Sequence, residues 1–492
     1  MSMLSFIDVS HGCREECENA SHDYFRETGK MIRMLTGVTA ALLSSGVLAA
    51  GAAVAQQPGQ ERAEDKLQPA IAQLVAGISP QRIEAHVRKL VSFQTRHTMS
   101  DTVSDTQGIG AARRWIKAEL ERCGAQAGGR LQVAFDSHVT PVSKRISRPT
   151  EIVNVVATLP GSQPQSAQRI YVVSGHYDSR ATDVMDASGN APGANDDASG
   201  TAAVIEMACV MARQQFDATL VFMAVAAEEQ GLLGSGHWAQ QAKLKQLNIA
   251  GMLNNDIIGS SRADDGTVDG GQVRLFAEGI PAVKEMSDGV RGLVATGGEN
   301  DSISRQLARH VKQVGERYVP GFKVNVIQRA DRYLRGGDHM PFLAQGYAAL
   351  RFTEPNEDFA HQHQDVRVEN GVQYGDLLQF VDYDYVAKVT RVNAAALASL
   401  ALAPAAPAQV QVRTAKLENA TTLVWQPNTE PDLAGYRVVW RATTADQWQG
   451  AQDVGNVTEA RLALSKDNYF FGVQAIDRDG NVSVATYPTP LR

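Results

Sequence analysis

The sequence predicts an α/β domain, with a mixed, mostly parallel central sheet flanked by helices, followed by a small all-β sandwich. Two observations predict the first domain: short apolar runs rich in β-branched residues recur along the chain, and helix-like stretches separate them. The sandwich follows from a third observation, because beyond residue 407 apolar and polar residues alternate between turn signals. These patterns place the α/β domain at residues 76–398 and the sandwich at residues 408–492.

The α/β domain is predicted to open with helices and to continue with strands. Apolar residues recur at helical spacing in "RIEAHVRKLVSF" and "GIGAARRWIKAELERCG". Six predicted strands come next: "EIVNVVATLPG", "RIYVVSGHYDS", "TLVFMAVAAEE", "GMLNNDIIG", "VRLFAEG" and "AALRFTE". Helical stretches at 198–215, 231–247 and 301–318 lie between them, so the chain is expected to form βαβ units.

An Ala/Pro-rich stretch at residues 395–407 is typical of a linker. The strands of the sandwich are predicted beyond it, in "TTLVWQP", "AGYRVVWRA", "EARLAL" and "NYFFGVQAID". Each run alternates at period two and is bounded by turn signals such as "DRDGN", which indicates short antiparallel strands.

Residues 31–55 have the features of a secretory signal peptide: a charged start, an apolar and small-residue stretch, and Ala-Val-Ala at the end. Since a signal peptide begins a chain, translation is expected to start at Met31 or Met34, which makes residues 1–30 a misassigned N-terminal extension. The stretch is weakly hydrophobic for a membrane span, so no stable membrane anchor is expected. The pattern therefore predicts bacterial export and a secreted or periplasmic protein.

The net charge limits the binding partners that the sequence predicts, and the cysteine content limits the number of disulfides. A formal net charge of −7 offers no basic surface, so no nucleic acid is expected as a partner. After removal of residues 1–55 only Cys123 and Cys209 remain, too few for a disulfide framework in an exported chain. One bridge and two isolated buried thiols both fit these two residues.

Polar side chains follow four of the predicted strands, at the point where each strand ends. The strands lead into His176-Tyr177-Asp178-Ser179, into Glu228-Glu229, into Asn255-Asp256 and, through a loop, into His361-Gln362-His363-Gln364-Asp365. Asp196 precedes a predicted helix, so groups from five segments can meet at the sheet edge where ligand sites gather. Carboxylates held together repel each other, and two divalent cations would neutralise this repulsion. Histidine with Asp and Glu, and no cysteine, is the ligand set expected for zinc in a hydrolytic site.

Taken singly, each of these groups has a simpler explanation. An Asp before a helix is usually an N-cap, and a Glu pair after a strand is usually a solvated turn or a helix-start charge. A lone histidine such as His237 or His310 lies more often on the surface or in the core than on a metal. The order and spacing of the segments together favour a metal site.

The segments "GHYDS", "PGANDDASG", "AAEEQGLLGS", "NNDIIG" and "HQHQD" occur in the order seen in the co-catalytic dizinc aminopeptidases. The chain resembles this family of secreted bacterial leucine aminopeptidases, with carboxypeptidase and glutaminyl cyclase relatives, over roughly residues 80–395. "GGDHMPF" at 336–342 is similar to a further family segment. The resemblance implies a zinc exopeptidase-like fold. Beyond it, Trp425, Tyr436 and the run from Tyr469 to Asp477 resemble a fibronectin type III module.

The resemblance implies ligands for two Zn²⁺ ions: His176, Asp196, Glu229, Asp256 and His361. Asp196 would bridge the ions, and its peptide bond to Asp197 is typically cis in the family. His176 and Asp256 would complete one ion, and Glu229 and His361 the other. His363 is a rival ligand; His361 is preferred because it lies four residues before Asp365, although Gln362 stands where the family commonly has Thr.

Two catalytic roles are implied as well. Glu228 would be the general base, which takes a proton from the attacking water and delivers it to the leaving amine. Asp178, two residues after His176, suits the acceptor that orients the imidazole. His339 in "GGDH" is expected to be a lid or structural residue rather than a ligand.

These features predict a secreted zinc-dependent metallo-aminopeptidase that hydrolyses the N-terminal bond of peptides or proteins through a dizinc-activated water. One alternative is a carboxypeptidase on the same metal site, for which Arg332, Arg335 and Arg351 would offer a cationic pocket. A glutaminyl cyclase-type acyltransferase is another, although those enzymes use one zinc and all five ligand positions are filled here. A third is a non-catalytic exported binding protein. The C-terminal module is expected to contact a surface or polymer, or to be a spacer.

Overall fold

A computed structural model describes residues 67–281 and 285–492 of the chain. The predicted extension at 1–30 and the predicted signal peptide at 31–55 lie outside the described residues. Within the described ranges, the helices are too short or too polar to span a bilayer.

An eight-stranded mixed sheet forms the centre of the α/β part, which confirms the predicted fold class. Its strands along the chain are β1 (Gln132–Thr140), β2 (Thr150–Leu159), β3 (Arg169–His176), β4 (Thr219–Val225), β5 (Asn248–Asn255), β6 (Gln272–Ala277), β7 (Lys323–Ile327) and β8 (Ala349–Thr353). The spatial order is β1-β2-β4-β3-β5-β8-β6-β7. Strands β4, β3, β5 and β8 pair in parallel, so their C-terminal ends lie at one edge.

The sequence patterns anticipate six of these strands and miss β1 and β7. Most side chains of β1 are exposed or half-buried, and those of β7 alternate between exposed and buried. Both strands lie at the ends of the sheet order, where neighbours cover less of each strand. An edge strand therefore lacks the continuous apolar run by which the buried strands are recognised.

Helices cover both faces of the sheet. They are α1 (Pro69–Ala76), α2 (Pro80–Val91), α3 (Gly108–Gln126), α4 (Ala198–Met211), α5 (Leu233–Leu244), α6 (Asp288–Ala295), α7 (Ile303–Tyr318), α8 (His339–Ala344) and α9 (Tyr383–Leu402). Along β3, Val173 packs in a core shared with α1–α4, α7 and α9, whereas Val172 packs in a second core with α5 and α8. Successive residues of the strand thus face opposite layers, which requires both to be apolar.

The predicted linker at 395–407 is wrong over its first half, because α9 continues to Leu402. Alanines 394–396 of this helix are fully buried in the core. Small side chains let α9 approach α4 and α7 closely, so the Ala-rich composition reflects packing here rather than flexibility. The core also includes Ile71 and Leu74 of α1, before the predicted start at residue 76.

Smaller sheets follow the central one. A hairpin, β9 (Arg367–Glu369) with β10 (Val372–Tyr374), lies between β8 and α9. The C-terminal part has seven strands: β11 (Gln411–Arg413), β12 (Thr421–Val424), β13 (Leu433–Ala442), β14 (Gly450–Gly455), β15 (Glu459–Leu462), β16 (Tyr469–Asp477) and β17 (Thr489–Leu491). They form two sheets, β15-β12-β11-β17 and β14-β13-β16, around a separate core that contains Trp425 and Tyr436.

Cys123 of α3 and Cys209 of α4 form a disulfide between residues 86 positions apart. The sequence left a bridge and two free thiols open, and the structure decides for the bridge. It fastens two helices on the same side of the central sheet.

Candidate metal centre

Five histidine and carboxylate side chains meet at the C-terminal edge of the parallel strands. His176 ends β3, Asp256 follows β5, and Glu229 lies four residues beyond β4. Asp196 immediately precedes Asp197, the N-cap of α4. His363 arrives from the loop between β8 and the β9–β10 hairpin. The first four were predicted together from the sequence, and the structure brings them together.

These five side chains form two triads that share one aspartate. In one, His176 Nε2 lies 3.1 Å from Asp196 Oδ1 and 3.8 Å from Asp256 Oδ1. In the other, His363 Nε2 lies 2.9 Å from Asp196 Oδ2 and 2.9 Å from Glu229 Oε1. The ligand atoms of each triad all lie within 4.8 Å of one another. The two oxygens of Asp196 therefore face different triads, the arrangement expected of a bridging carboxylate.

His361, which was expected among the ligands, lies outside this cluster in the structure. His361 Nδ1 lies 3.1 Å from Asp358, and its ring stacks on Phe380 with centroids 3.5 Å apart. A 3-10 turn ends at His361, and His363 has a φ of 49°, so the chain changes direction between the two residues. Asp365, on which the preference for His361 relied, hydrogen-bonds instead with Thr182.

Asp197 belongs to neither triad and hydrogen-bonds to the backbone around them. Its carboxylate accepts hydrogen bonds from the amides of Gly200 (3.0 Å), His176 (3.0 Å) and Ile257 (3.3 Å). The carboxylate thus joins the start of α4 to the ends of β3 and β5. The Asp196–Asp197 peptide bond is cis, as the resemblance implies.

Asp178 supports both a triad histidine and the glutamate pair. Its Oδ1 lies 3.6 Å from His176 Nδ1, while its backbone carbonyl lies 3.1 Å from the same nitrogen. The carboxylate also accepts the amide N–H groups of Glu228 and Glu229, each at 3.2 Å. Asp178 is fully buried and contacts His176, Glu228 and Glu229 together.

Glu228 lines the same cleft as Asp196, Glu229 and Asp256. Burial raises the pKa of Glu228 well above its usual range, and repulsion from Asp256 and Glu229 acts in the same direction. A carboxyl group with a raised pKa can accept a proton and hold it near neutral pH. Glu228 is therefore suited to proton transfer.

Three further residues, not predicted from the sequence, support the segment before Asp196. Asp376 accepts the amide N–H groups of Asn195 (2.8 Å) and Asp196 (2.7 Å). Glu354 accepts from the Asn195 side-chain amide at 2.8 Å. The buried guanidinium of Arg96 donates to the carbonyl of Gly193 at 2.9 Å. They contact the segment before Asp196 from distant parts of the chain, and no local motif marks them.

Burial also shifts the pKa values of these supports. It raises the pKa of Asp376 to about 7 and lowers that of Arg96 to about 10. His339 is buried, and its Nε2 lies 2.9 Å from the carbonyl oxygen of Ala330, which fits the structural role expected for it.

The donor set fits zinc. Glu229 Oε1 is buried and has no partner with hydrogen-bond geometry among the described residues, although His363 Nε2 is 2.9 Å away. A carboxylate and an imidazole that are close without a hydrogen bond are suited to a cation that both can bind. Three nitrogen and oxygen ligands from separate elements, without cysteine, are typical of catalytic zinc.

Comparison with known proteins agrees with this chemistry. Residues 154–377 match the model of "Peptidase family M28". A "probable zinc metalloprotease" of Leptosphaeria maculans is 50% identical over 417 residues, covering 85% of this chain and 96% of that protein. One of Pyricularia oryzae is 50% identical over 418 residues, covering 84% and 83%. These relatives are fungal, whereas the sequence motifs resemble those of bacterial aminopeptidases.

Among solved structures, LapB from Legionella pneumophila aligns with a TM-score of 0.46 and 22% identity, covering 67% of this chain and 74% of that one. A likeness of that size does not bear on function.

Proposed function

This chain belongs to peptidase family M28 and is a zinc metallopeptidase, and we propose that it is a secreted aminopeptidase that uses two zinc ions and Glu228 as general base. The observation that carries the proposal is the pair of triads sharing Asp196. His176, Asp196 and Asp256 would hold one ion, and His363, Asp196 and Glu229 the other. His363 replaces His361 in the ligand set, for the geometric reason given above.

Zinc, when bound, supplies a Lewis acid that polarises the scissile carbonyl and lowers the pKa of a water. The residues of the chain supply the remaining chemistry. Glu228 takes the proton of the attacking water and gives it to the leaving amine, which departs as a neutral group. Asp178 keeps Glu228 and Glu229 in place through their amides, so one glutamate can bind while its neighbour moves a proton.

Two features support hydrolysis over the alternatives. A residue able to bind zinc stands at each of the five ligand positions, which is enough for two zinc ions. A glutaminyl cyclase-type reaction is expected to need one zinc. The general base and its support Asp178 are both present, which disfavours a non-catalytic binding role. The aminopeptidase direction rests on the motif resemblance, and a carboxypeptidase on the same centre is the second candidate because arginines line the cleft.

Secretion and the C-terminal module complete the proposal. The disulfide between Cys123 and Cys209 is of the kind that persists in oxidising compartments, which supports export through the predicted signal peptide. The two C-terminal sheets share a core with Trp425 and Tyr436, which supports a fibronectin type III-like module. We assign this module to contact with a surface or polymeric substrate.

The proposal is tested with the purified protein and a mixture of free and end-blocked peptides, read by mass spectrometry before and after chelation and zinc addition. Release from free N-termini, abolished by chelator and restored by zinc, is the expected result. Release from C-termini would keep the metal site and overturn the direction. No release from any peptide in the zinc-loaded protein would contradict the peptidase proposal itself.

A further inference from the structure

Arginines crowd the cleft beside the candidate zinc centre. The cleft has a volume of about 400 Å³ and is lined by Arg145, Arg180, Arg332, Arg335 and Arg351, together with the triad carboxylates. Guanidinium groups stay charged at every physiological pH, so those without a carboxylate partner in the protein are available to an anion that enters the cleft.

Two of the five arginines are neutralised within the protein. Arg351 is 1% exposed; its Nη2 lies 2.9 Å from Asp256 and its Nη1 lies 3.0 Å from Asp331. Arg332 lies 2.7 Å from Glu357 and 3.3 Å from Asp331. Asp256 is a candidate ligand, so Arg351 also helps to position its carboxylate. These two arginines are parts of the wall of the cleft.

The other three arginines lack a carboxylate of their own. Arg335 is half-buried and has no hydrogen-bond or ion-pair partner within residues 67–281 and 285–492. Arg145 donates at 2.8 Å to the backbone carbonyl of Glu229. Arg180 donates to two nearby carbonyl oxygens and lies 4.0 Å from the Glu229 carboxylate, which is assigned to zinc.

We infer that Arg145, Arg180 and Arg335 form a carboxylate-binding subsite, so that the enzyme prefers substrates with a carboxylate close to the scissile bond. This inference rests on the proposed function and adds the substrate class. Zinc would neutralise the Glu229 carboxylate, so none of the three arginines would keep an ion-pair partner among the described residues. Arginine matches carboxylates through paired N–H donors, and the cleft has the size of a small-ligand site.

Two parts of a substrate could supply this carboxylate. One is the acidic side chain of the terminal residue, and the other is the free α-carboxylate of a short peptide. Two matched peptide pairs separate them. Glu-Ala-Ala-amide against Gln-Ala-Ala-amide tests the side chain, and Ala-Ala-Ala against Ala-Ala-Ala-amide tests the terminus.

We expect kcat/KM to be about tenfold or more higher for the acidic member of one pair, because a charge-assisted hydrogen bond is worth that much. The pair that shows the ratio identifies the source of the carboxylate. In Arg335→Met the ratio is expected to fall several-fold, and in Arg335→Lys to recover in part. Ratios close to one for both pairs in the wild-type enzyme would overturn the subsite while leaving the peptidase proposal intact.

Arg329→Met is the matched control. Arg329 lies on the same loop, but its guanidinium stacks on Tyr333 at 3.8 Å and it does not line the cleft. The ratio of kcat/KM between the two peptides of a pair is expected to be the same in Arg329→Met as in the wild type. Zinc content is measured for every variant, and a fall in the ratio with equal zinc content counts in favour of the subsite.

Binding provides a readout that does not depend on turnover. Calorimetry on the zinc-loaded protein compares glutarate with the neutral glutaramide. Glutarate is expected to bind more tightly than glutaramide, and Arg335→Met to weaken glutarate binding about tenfold. This result supports the subsite even if no peptide is cleaved. Absence of cleavage would contradict only the proposed function. Equal glutarate binding by wild type and Arg335→Met would overturn the subsite.

Discussion

The Nε2 atom of His363 lies 2.9 Å from the Oε1 atom of Glu229, although the two residues are 134 positions apart in the sequence. This contact closes the second triad and excludes His361, which lies only two positions earlier and stacks on Phe380. Which histidine lies at the second triad is therefore a property of the loop and not of the motif.

His363→Ala is expected to remove one of the two proposed zinc ions, because Asp196 and Glu229 alone leave the second triad incomplete. His361→Ala is the matched control and should keep both ions, since its ring lies against Phe380 and Asp358. Zinc per protein is measured by elemental analysis after dialysis against dilute metal. Loss of zinc from His361→Ala, with His363→Ala unaffected, would restore the motif-based assignment.

Glu228→Gln should lower kcat by about 10²–10⁴-fold while zinc content stays at the wild-type value, because the amide keeps the shape but cannot accept a proton. Glu84→Gln, on the surface of α2 where Glu84 pairs with Arg88, provides the control. The measurement is initial-rate kinetics on a peptide that the wild type cleaves. A variant with wild-type kcat would exclude Glu228 as the general base.

Asp376→Ala is expected to weaken zinc binding by about 10–100-fold, because the amides of Asn195 and Asp196 lose their shared acceptor. Competition with a chromophoric chelator gives the affinity, and circular dichroism checks the fold. Asp365→Ala is the control: it removes a carboxylate on the other side of the β9–β10 hairpin, which accepts a hydrogen bond from the amide of Thr182. Equal zinc affinity in the two variants would show that Asp376 does not position Asp196.

The double variant Cys123→Ala/Cys209→Ala should lose about 2–4 kcal/mol of unfolding free energy, because the bridge closes a loop of 86 residues in the unfolded chain. Urea unfolding followed by fluorescence measures it. Reductant should shift the wild-type midpoint towards that of the variant and leave the variant unchanged. Labelling of both Cys123 and Cys209 by a thiol reagent in the untreated native protein, located by peptide mass spectrometry, would contradict the bridge.

The raised pKa of Asp217 predicts that the protein loses stability as the pH rises. Burial, together with the nearby carboxylates of Asp432 and Asp477, raises its pKa to about 6. The folded state therefore binds the proton of the Asp217 carboxyl group more tightly than the unfolded state does. The stabilisation that this proton gives is fully present below about pH 4 and is lost as the pH rises through 6.

Asp217→Asn stays neutral and should have a higher Tm than the wild type at pH 7.5, with the difference vanishing near pH 4. Scanning fluorimetry in matched buffers measures both, and Asp264→Asn at an exposed position is the control. A Tm difference that is the same at both pH values would show that titration of Asp217 is not its cause.

The buried part of the fold could be predicted from the sequence, and its margins could not. Strands β3, β4 and β5 are covered on both faces, so each shows a continuous apolar run that ends in a polar group. The edge strands β1 and β7 expose part of each face and show no such run. The Ala-rich end of helix α9 has the composition of a linker, because alanines that permit close packing also occur in flexible segments.

The sequence by itself determined the family, the fold class and four of the five candidate ligands: His176, Asp196, Glu229 and Asp256. Each of these lies at or near the end of a buried strand or at the start of a helix, so the regular element fixes its position. Only the tertiary structure showed that His363, and not His361, lies at the second triad, and which arginines of the cleft already have partners. Those residues lie on loops whose course depends on contacts such as that between Thr182 and Asp365, 183 positions apart. Local sequence patterns carry no information about such contacts.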